Sequence, residues 1–140
     1  MKKKFIDYFM LMAELTATLS YAKRLQVGAL IVKGSRIVGT GYNGMPTDWE
    51  NNCEYEVENV LTTKPEVLHA ETNAIAKVAQ STESSEGSTM FCTHAPCLDC
   101  AKLIYQSGIS TLYFKNEYRD DAGLKFLKLG GVNVHHHVQP

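Results

Sequence analysis

The chain has 140 residues, 44% of them hydrophobic and 21% charged, with a formal net charge of −1 at pH 7. This length fits one domain over residues 1–140 with room for a proper core. The slight excess of acids argues against a nucleic-acid partner, which selects for strong positive charge, but leaves room for a local basic pocket that takes one small phosphate.

Met1-Lys2-Lys3-Lys4-Phe5 opens on a basic run that reads as a solvated helix start. Asp7 and Glu14 interrupt the apolar residues after it, so neither a signal peptide nor a membrane span is predicted. Cys53, Cys92, Cys97 and Cys100, with no secretion signal, point to a reducing compartment, the cytoplasm. Phe5 to Tyr21 is predicted to be an amphipathic helix, with Phe5, Phe9, Met12, Leu15 and Leu19 near helical period. Val27–Val32 and Arg36–Tyr42 read as a hairpin turning at Lys33-Gly34-Ser35. Asn43 to Pro65 reads as a long loop rich in turn formers, of the kind that often carries function.

A helix is predicted from about Glu66 to Gln80, then a polar break to Ser88 and a buried strand over Thr89–Thr93. Pro96 introduces a helix from Cys97 to Gln106, ended by Gly108. Thr111–Phe114 is a strand, Ala122–Leu129 a helix closed by Gly130-Gly131, and Val132–Val138 a last strand. The alternation in the second half predicts parallel strands with helical crossovers, whereas the first hairpin is antiparallel. The expected fold is a three-layer α/β/α arrangement with a mixed five-stranded sheet flanked by helices.

Two segments carry the chemistry: Leu68-His69-Ala70-Glu71 and Pro96-Cys97-Leu98-Asp99-Cys100, each at a predicted helix start. Cysteines at i and i+3 there point to one side, so both sulfurs can reach one ion, and His69 supplies a third donor. Three protein ligands and a free fourth position make a catalytic rather than a structural zinc site. Glu71, two residues from His69, sits too close to ligate with it from one helical turn and is placed to move protons over the metal. Position 73 is Asn rather than the second His that a zinc peptidase helix needs. A redox Cys-x-x-Cys pair is one alternative. Structural zinc completed by Cys53, Cys92 or His94 is another.

His-Ala-Glu followed by Pro-Cys-x-x-Cys resembles the signature of the zinc-dependent nucleobase deaminases. Gln26–Val32, Gly41-Tyr42-Asn43-Gly44-Met45-Pro46 and His69–Ile75 look most like the deoxycytidylate deaminases within that superfamily. The resemblance implies zinc held by His69, Cys97 and Cys100, and Glu71 as the catalytic proton carrier. It implies hydrolytic deamination of dCMP to dUMP and ammonia, supplying dUMP for thymidylate synthesis. It places Asn43 on the sugar and base and the backbone of Ala70 on the pyrimidine edge. Ser20 and Arg24 fall on the 5′-phosphate, with Lys23 a weaker candidate. It further implies a homohexamer activated by dCTP and inhibited by dTTP, with Mg²⁺ accompanying the effector nucleotide. Ala22 replaces a cysteine that helps some relatives hold a structural zinc, so no second zinc is expected, and Thr47–Glu50 departs from the family's loop.

His94 is balanced between packing near the base and capping a strand end. Tyr113-Phe114 and Tyr118 read as core and interface residues. His135-His136-His137 alternate in direction along a strand and read as structural. Competing functions are a transfer-RNA adenosine deaminase, a free cytidine or guanine deaminase, and a non-catalytic zinc-binding module.

Overall fold

The computed structural model describes residues 1–138; Gln139 and Pro140, part of the one-domain expectation, lie outside the described residues. The elements run α1 (Lys3–Ala17), β1 (Gly28–Lys33), β2 (Arg36–Tyr42), β3 (Glu54–Val57), β4 (Val60–Thr63) and α2 (Ala70–Ala79). They continue as β5 (Thr89–His94), α3 (Leu98–Gln106), β6 (Thr111–Asn116), α4 (Ala122–Leu129) and β7 (Asn133–His136).

Five strands form one mixed sheet in the order β2-β1-β5-β6-β7. β1 is antiparallel to both neighbours, whereas β5, β6 and β7 run parallel. The period of two along β1 sorts its side chains between two cores. Ala29 and Ile31 join Ala74 and Val78 of α2, Ala101 and Ile104 of α3 and Leu127 of α4. Leu30 and Val32 join Phe9, Met10 and Ala13 of α1 on the other face. These two cores make the three-layer α/β/α architecture expected from the sequence. Each fully buried Leu or Ile contributes about 1.5–3 kcal/mol, so the two cores together outweigh any surface ion pair.

Three sequence expectations change. The buried face of α1 is Phe9, Met10, Ala13 and Ala17, whereas Phe5, Leu15 and Leu19 are exposed. The cause is close packing. A Cβ on Gly28 would lie 2.1 Å from the Ala13 carbonyl oxygen, so the helix rests on its small residues. Second, the segment read as a loop contains the antiparallel pair β3–β4, whose turn is Glu58-Asn59 with φ of 51° and 65°. Third, α2 begins at Ala70 rather than Glu66. Leu68 instead pairs with Gly44 as an isolated antiparallel bridge, its N–H donating to the Gly44 carbonyl at 2.8 Å.

The histidine run does alternate. His135 stacks on Tyr113 and His136 on Phe114, while His137 is buried with Nε2 2.8 Å from Oδ1 of Asp7 on α1.

One glycine fixes where α2 begins. A Cβ on Gly41 would stand 2.2 Å from the Ala70 carbonyl oxygen and 2.5 Å from the Ala74 nitrogen, so only glycine lets β2 approach the helix this closely. Gly41→Ala is expected to lower the free energy of unfolding in urea by about 3 kcal/mol through overpacking. An unchanged urea midpoint would show that α2 does not rest on this strand.

Candidate metal centre and its cavity

Helix starts normally use the N-cap side chain to satisfy free backbone N–H groups. His69 and Cys97 are the N-cap residues of α2 and α3, both extended, and neither side chain caps its helix. The two side chains turn toward each other instead. His69 Nδ1 lies 3.2 Å from Cys100 Sγ and 3.7 Å from Cys97 Sγ, and the three donor atoms all lie within 4.8 Å of one another. Zinc bonds of about 2.0 Å to nitrogen and 2.3 Å to sulfur place tetrahedral ligands about 3.5–3.8 Å apart, so this trio fits one zinc ion. Among the described residues the group of candidate ligands is these three; Cys53, Cys92 and His94 are not members. Three donors suit a site with a free position and not the four-ligand structural site. Gly123 on α4 keeps the loop in place. A Cβ there would lie 2.2 Å from the Pro96 carbonyl oxygen.

Glu71, in the first turn of α2, is only 5% exposed. Burial pushes its carboxyl above the ordinary range, while its own backbone N–H, nearby His69 and the Cys100 thiol pull the other way. Burial likewise pushes the Cys100 thiol up, with the charge of Glu71 and the neighbouring Cys97 adding to it. Cys92 is raised by burial first and Glu71 second. Burial thus favours the uncharged forms of Glu71, Cys92 and Cys100 in the absence of a cation. Two thiolates and a neutral imidazole balance Zn²⁺, and the positive ends of α2 and α3 help. The donor set therefore fits the metal by both spacing and charge.

A cavity of about 600 Å³ opens on this centre, and His69, Ala70, Glu71 and Cys97 line it. Ala70 is fully buried and opens the helix, where backbone N–H groups have no helical acceptor. Asn43 lines the cavity with its amide already oriented: Oδ1 accepts from the Val27 N–H at 2.8 Å, and Nδ2 donates to the Leu25 carbonyl at 2.8 Å. One N–H and one lone pair of that amide remain for another partner. The Gly44–Leu68 bridge ties the Asn43 turn to the chain entering His69.

Arg24 also lines the cavity, its Nη1 donating to Thr63 Oγ1 at 2.9 Å. Ser20 and Lys23 are not among the lining residues. Ser20 is buried, and its hydroxyl donates to the Asn43 carbonyl at 2.7 Å while accepting from the Ala22 N–H. In this structure the hydroxyl braces the Asn43 turn.

His94 ends β5 and lines the cavity, and burial holds its imidazole below the ordinary range. Tyr118 and Arg119 line it too, with the Arg119 guanidinium 5.6 Å from the Tyr118 ring centre. The core-or-interface reading of Tyr118 missed this position. A topological signal was available: both residues follow the carboxyl end of parallel β6, where ligands of open α/β sheets gather.

Residues 3–116 match the cytidine and deoxycytidylate deaminase zinc-binding region. The chain belongs to the cytidine and deoxycytidylate deaminase family. The fold agrees closely with that of the dCMP deaminase of the cyanophage S-TIM5, solved with dCMP and dUMP. Its TM-score is 0.92 and its identity 44%, covering 98% of this chain and 99% of that one. The human deoxycytidylate deaminase is 42% identical over 125 residues, 83% of this chain. That of Saccharomyces cerevisiae is 34% identical over 143 residues, 96% of this chain. The chain spans 67% of the human protein's length and 45% of the yeast protein's. The zinc chemistry of the family and the His-Cys-Cys cluster agree on Zn²⁺ as the cofactor.

Proposed function

We propose that this chain, acting as one deaminase domain, hydrolyses dCMP to dUMP and ammonia. The observation that carries the reading is a single cavity lined at one place by His69, Cys97 and the buried Glu71 and at another by Arg24. The donor cluster with Glu71 and a cation that can take a phosphate share one cavity. The S-TIM5 relative that holds dCMP and dUMP supports the same substrate.

His69, Cys97 and Cys100 would hold zinc, which supplies Lewis acidity and an acidified water. Glu71 would accept a proton from the attacking water as its oxygen bonds to C4 and pass that proton to N3 of the pyrimidine. It would then take a second proton from the oxygen now on C4 and deliver it to the exocyclic nitrogen, so that the C4–N bond breaks and ammonia leaves. Burial that raises its carboxyl brings the proton affinity closer to that of its partners, which suits a group acting as base and then acid. The free N–H of Ala70 donates to the pyrimidine edge. Asn43 uses its remaining amide valences on the sugar, oriented by Val27 and Leu25. Arg24 pairs with the 5′-phosphate, and Arg119 brings a second positive charge to the same cavity.

The proposal extends to a homohexamer. A stripe of exposed apolar residues on α1, namely Phe5, Tyr8, Leu11 and Leu15, supports contact between copies. Activation by dCTP, inhibition by dTTP and an accompanying Mg²⁺ come with the family resemblance. The four free cysteines fit a reducing cytoplasm. No helix among the described residues is long and apolar enough to cross a membrane.

A panel of dCMP, deoxycytidine, CMP, dCTP and RNA adenosine tests the substrate assignment. The expected result is preference for dCMP. Arg24→Ala should cut the ratio of kcat/KM for dCMP over deoxycytidine by about 50-fold, the worth of a charge-assisted contact. Equal loss on both substrates would count against the phosphate role. Turnover confined to adenosine in RNA would favour the transfer-RNA reading.

A further inference from the structure

Arg24 lies in the irregular stretch between α1 and β1 and is itself exposed. A long arginine in such a segment has about 2 kcal/mol of rotamer entropy to lose on meeting a phosphate unless something holds it beforehand. The structure supplies that hold from one rung of the β3–β4 hairpin. Glu54 and Thr63 are directly paired residues of the two strands. Glu54 Oε2 accepts from the backbone N–H of Lys23 at 2.9 Å and of Arg24 at 3.2 Å. Thr63 Oγ1 accepts from the guanidinium of Arg24 at 2.9 Å. The same rung thus grips both ends of the arginine. Beyond it, the Lys64 N–H donates to the Cys53 carbonyl at 2.8 Å, continuing the pairing by one step.

Glu54 is an expensive choice for a mere backbone brace. It is only 3% exposed, and its other oxygen, Oε1, is buried without a hydrogen-bond partner. A buried acceptor left unpaired costs about 1–3 kcal/mol, more when charged, and a neutral amide could accept from the same two N–H groups. What a carboxylate adds is charge-assisted bonding to the very segment that presents Arg24, and such bonds are shorter and stronger than neutral ones. Glu54 and Thr63 both line the cavity with Arg24.

We propose that Glu54 is a positioning residue for substrate selection, and that the Glu54–Thr63 rung presets Arg24 for the 5′-phosphate of the nucleotide. The inference rests on the reading of Arg24 as the phosphate contact. It makes the hairpin a specificity element of the deaminase rather than a surface decoration.

The test compares kcat and KM for dCMP and deoxycytidine in the zinc-loaded enzyme and its variants. Glu54→Ala and Thr63→Val should each reduce the dCMP-over-deoxycytidine ratio of kcat/KM by about tenfold or more, the loss lying in KM for dCMP. Glu54→Gln, which keeps an acceptor for both N–H groups but loses the charge, should recover most of the ratio and leave a residual loss of about threefold. In an Arg24→Ala background, Glu54→Ala should add nothing, since the two act through one contact. If Glu54→Ala does not fold, Thr63→Val carries the test, because it removes only a hydroxyl. Equal losses on both substrates, or losses that add to those of Arg24→Ala, overturn the positioning role. If Arg24→Ala itself leaves the ratio unchanged, the phosphate reading fails and this inference with it. If Arg24→Ala lowers the ratio while the Glu54 and Thr63 variants do not, only the positioning role fails.

Discussion

Replacing Glu71 with glutamine is expected to lower turnover of dCMP by about 10³–10⁴-fold while leaving bound zinc at its wild-type level. The side chain is enclosed in the first turn of α2 and is not one of the three clustered metal donors, so an isosteric amide should keep the packing and the metal. What the amide cannot do is accept a proton from water and return it to the base. Because burial already disfavours the charged carboxylate, the neutral variant should also be at least as stable to heat as the parent. Three readouts therefore separate a chemical role from a structural one. Activity should collapse, zinc content should hold, and the melting temperature should not fall. Wild-type turnover in Glu71→Gln would remove this residue from the chemistry. Loss of zinc would move it into the ligand set.

Cys100→Ala carries the second large effect. Cys100 is 2% exposed and lies 3.2 Å from His69, so no neighbouring water readily replaces it as a ligand. Removing one of three protein donors should weaken zinc affinity by about 10³-fold and abolish deamination at ordinary zinc concentrations. Metal that binds only the native state adds to its stability, so the wild-type protein should melt lower after chelation. Cys100→Ala should melt at the same temperature with or without chelator. Zinc content and activity that survive the substitution would contradict the proposed centre. The same measurement on Cys92→Ala is a useful contrast, since Cys92 is buried in the core beside the site and stands outside the donor cluster.

Much of this arrangement is legible in the sequence, for physical reasons. β1 and β5 are short apolar runs bounded by turn formers, and strands of that kind declare themselves. The donors sit at two helix starts, where spacing alone restricts which way side chains point. What stays hidden is set by tertiary contact. The β3–β4 pair has mostly exposed residues and a Glu-Asn turn with no glycine, so neither alternation nor turn chemistry marks it. The inward face of α1 combines Phe9 and Met10 with two alanines, Ala13 and Ala17, that fit over Gly28, while Phe5 and Leu15 look outward. The motif does not announce the bond by which the Ser20 hydroxyl holds a chain segment 23 residues away. Tyr118 reaches the cavity only because β6 lies next to β5 in the sheet.

Product analysis with purified, zinc-loaded protein and dCMP puts the deaminase assignment itself to the test. The expected result is dUMP and ammonia formed one to one, at a rate that falls on chelation and returns with added zinc. Intact dCMP under conditions where the protein carries zinc and remains folded would contradict the assignment.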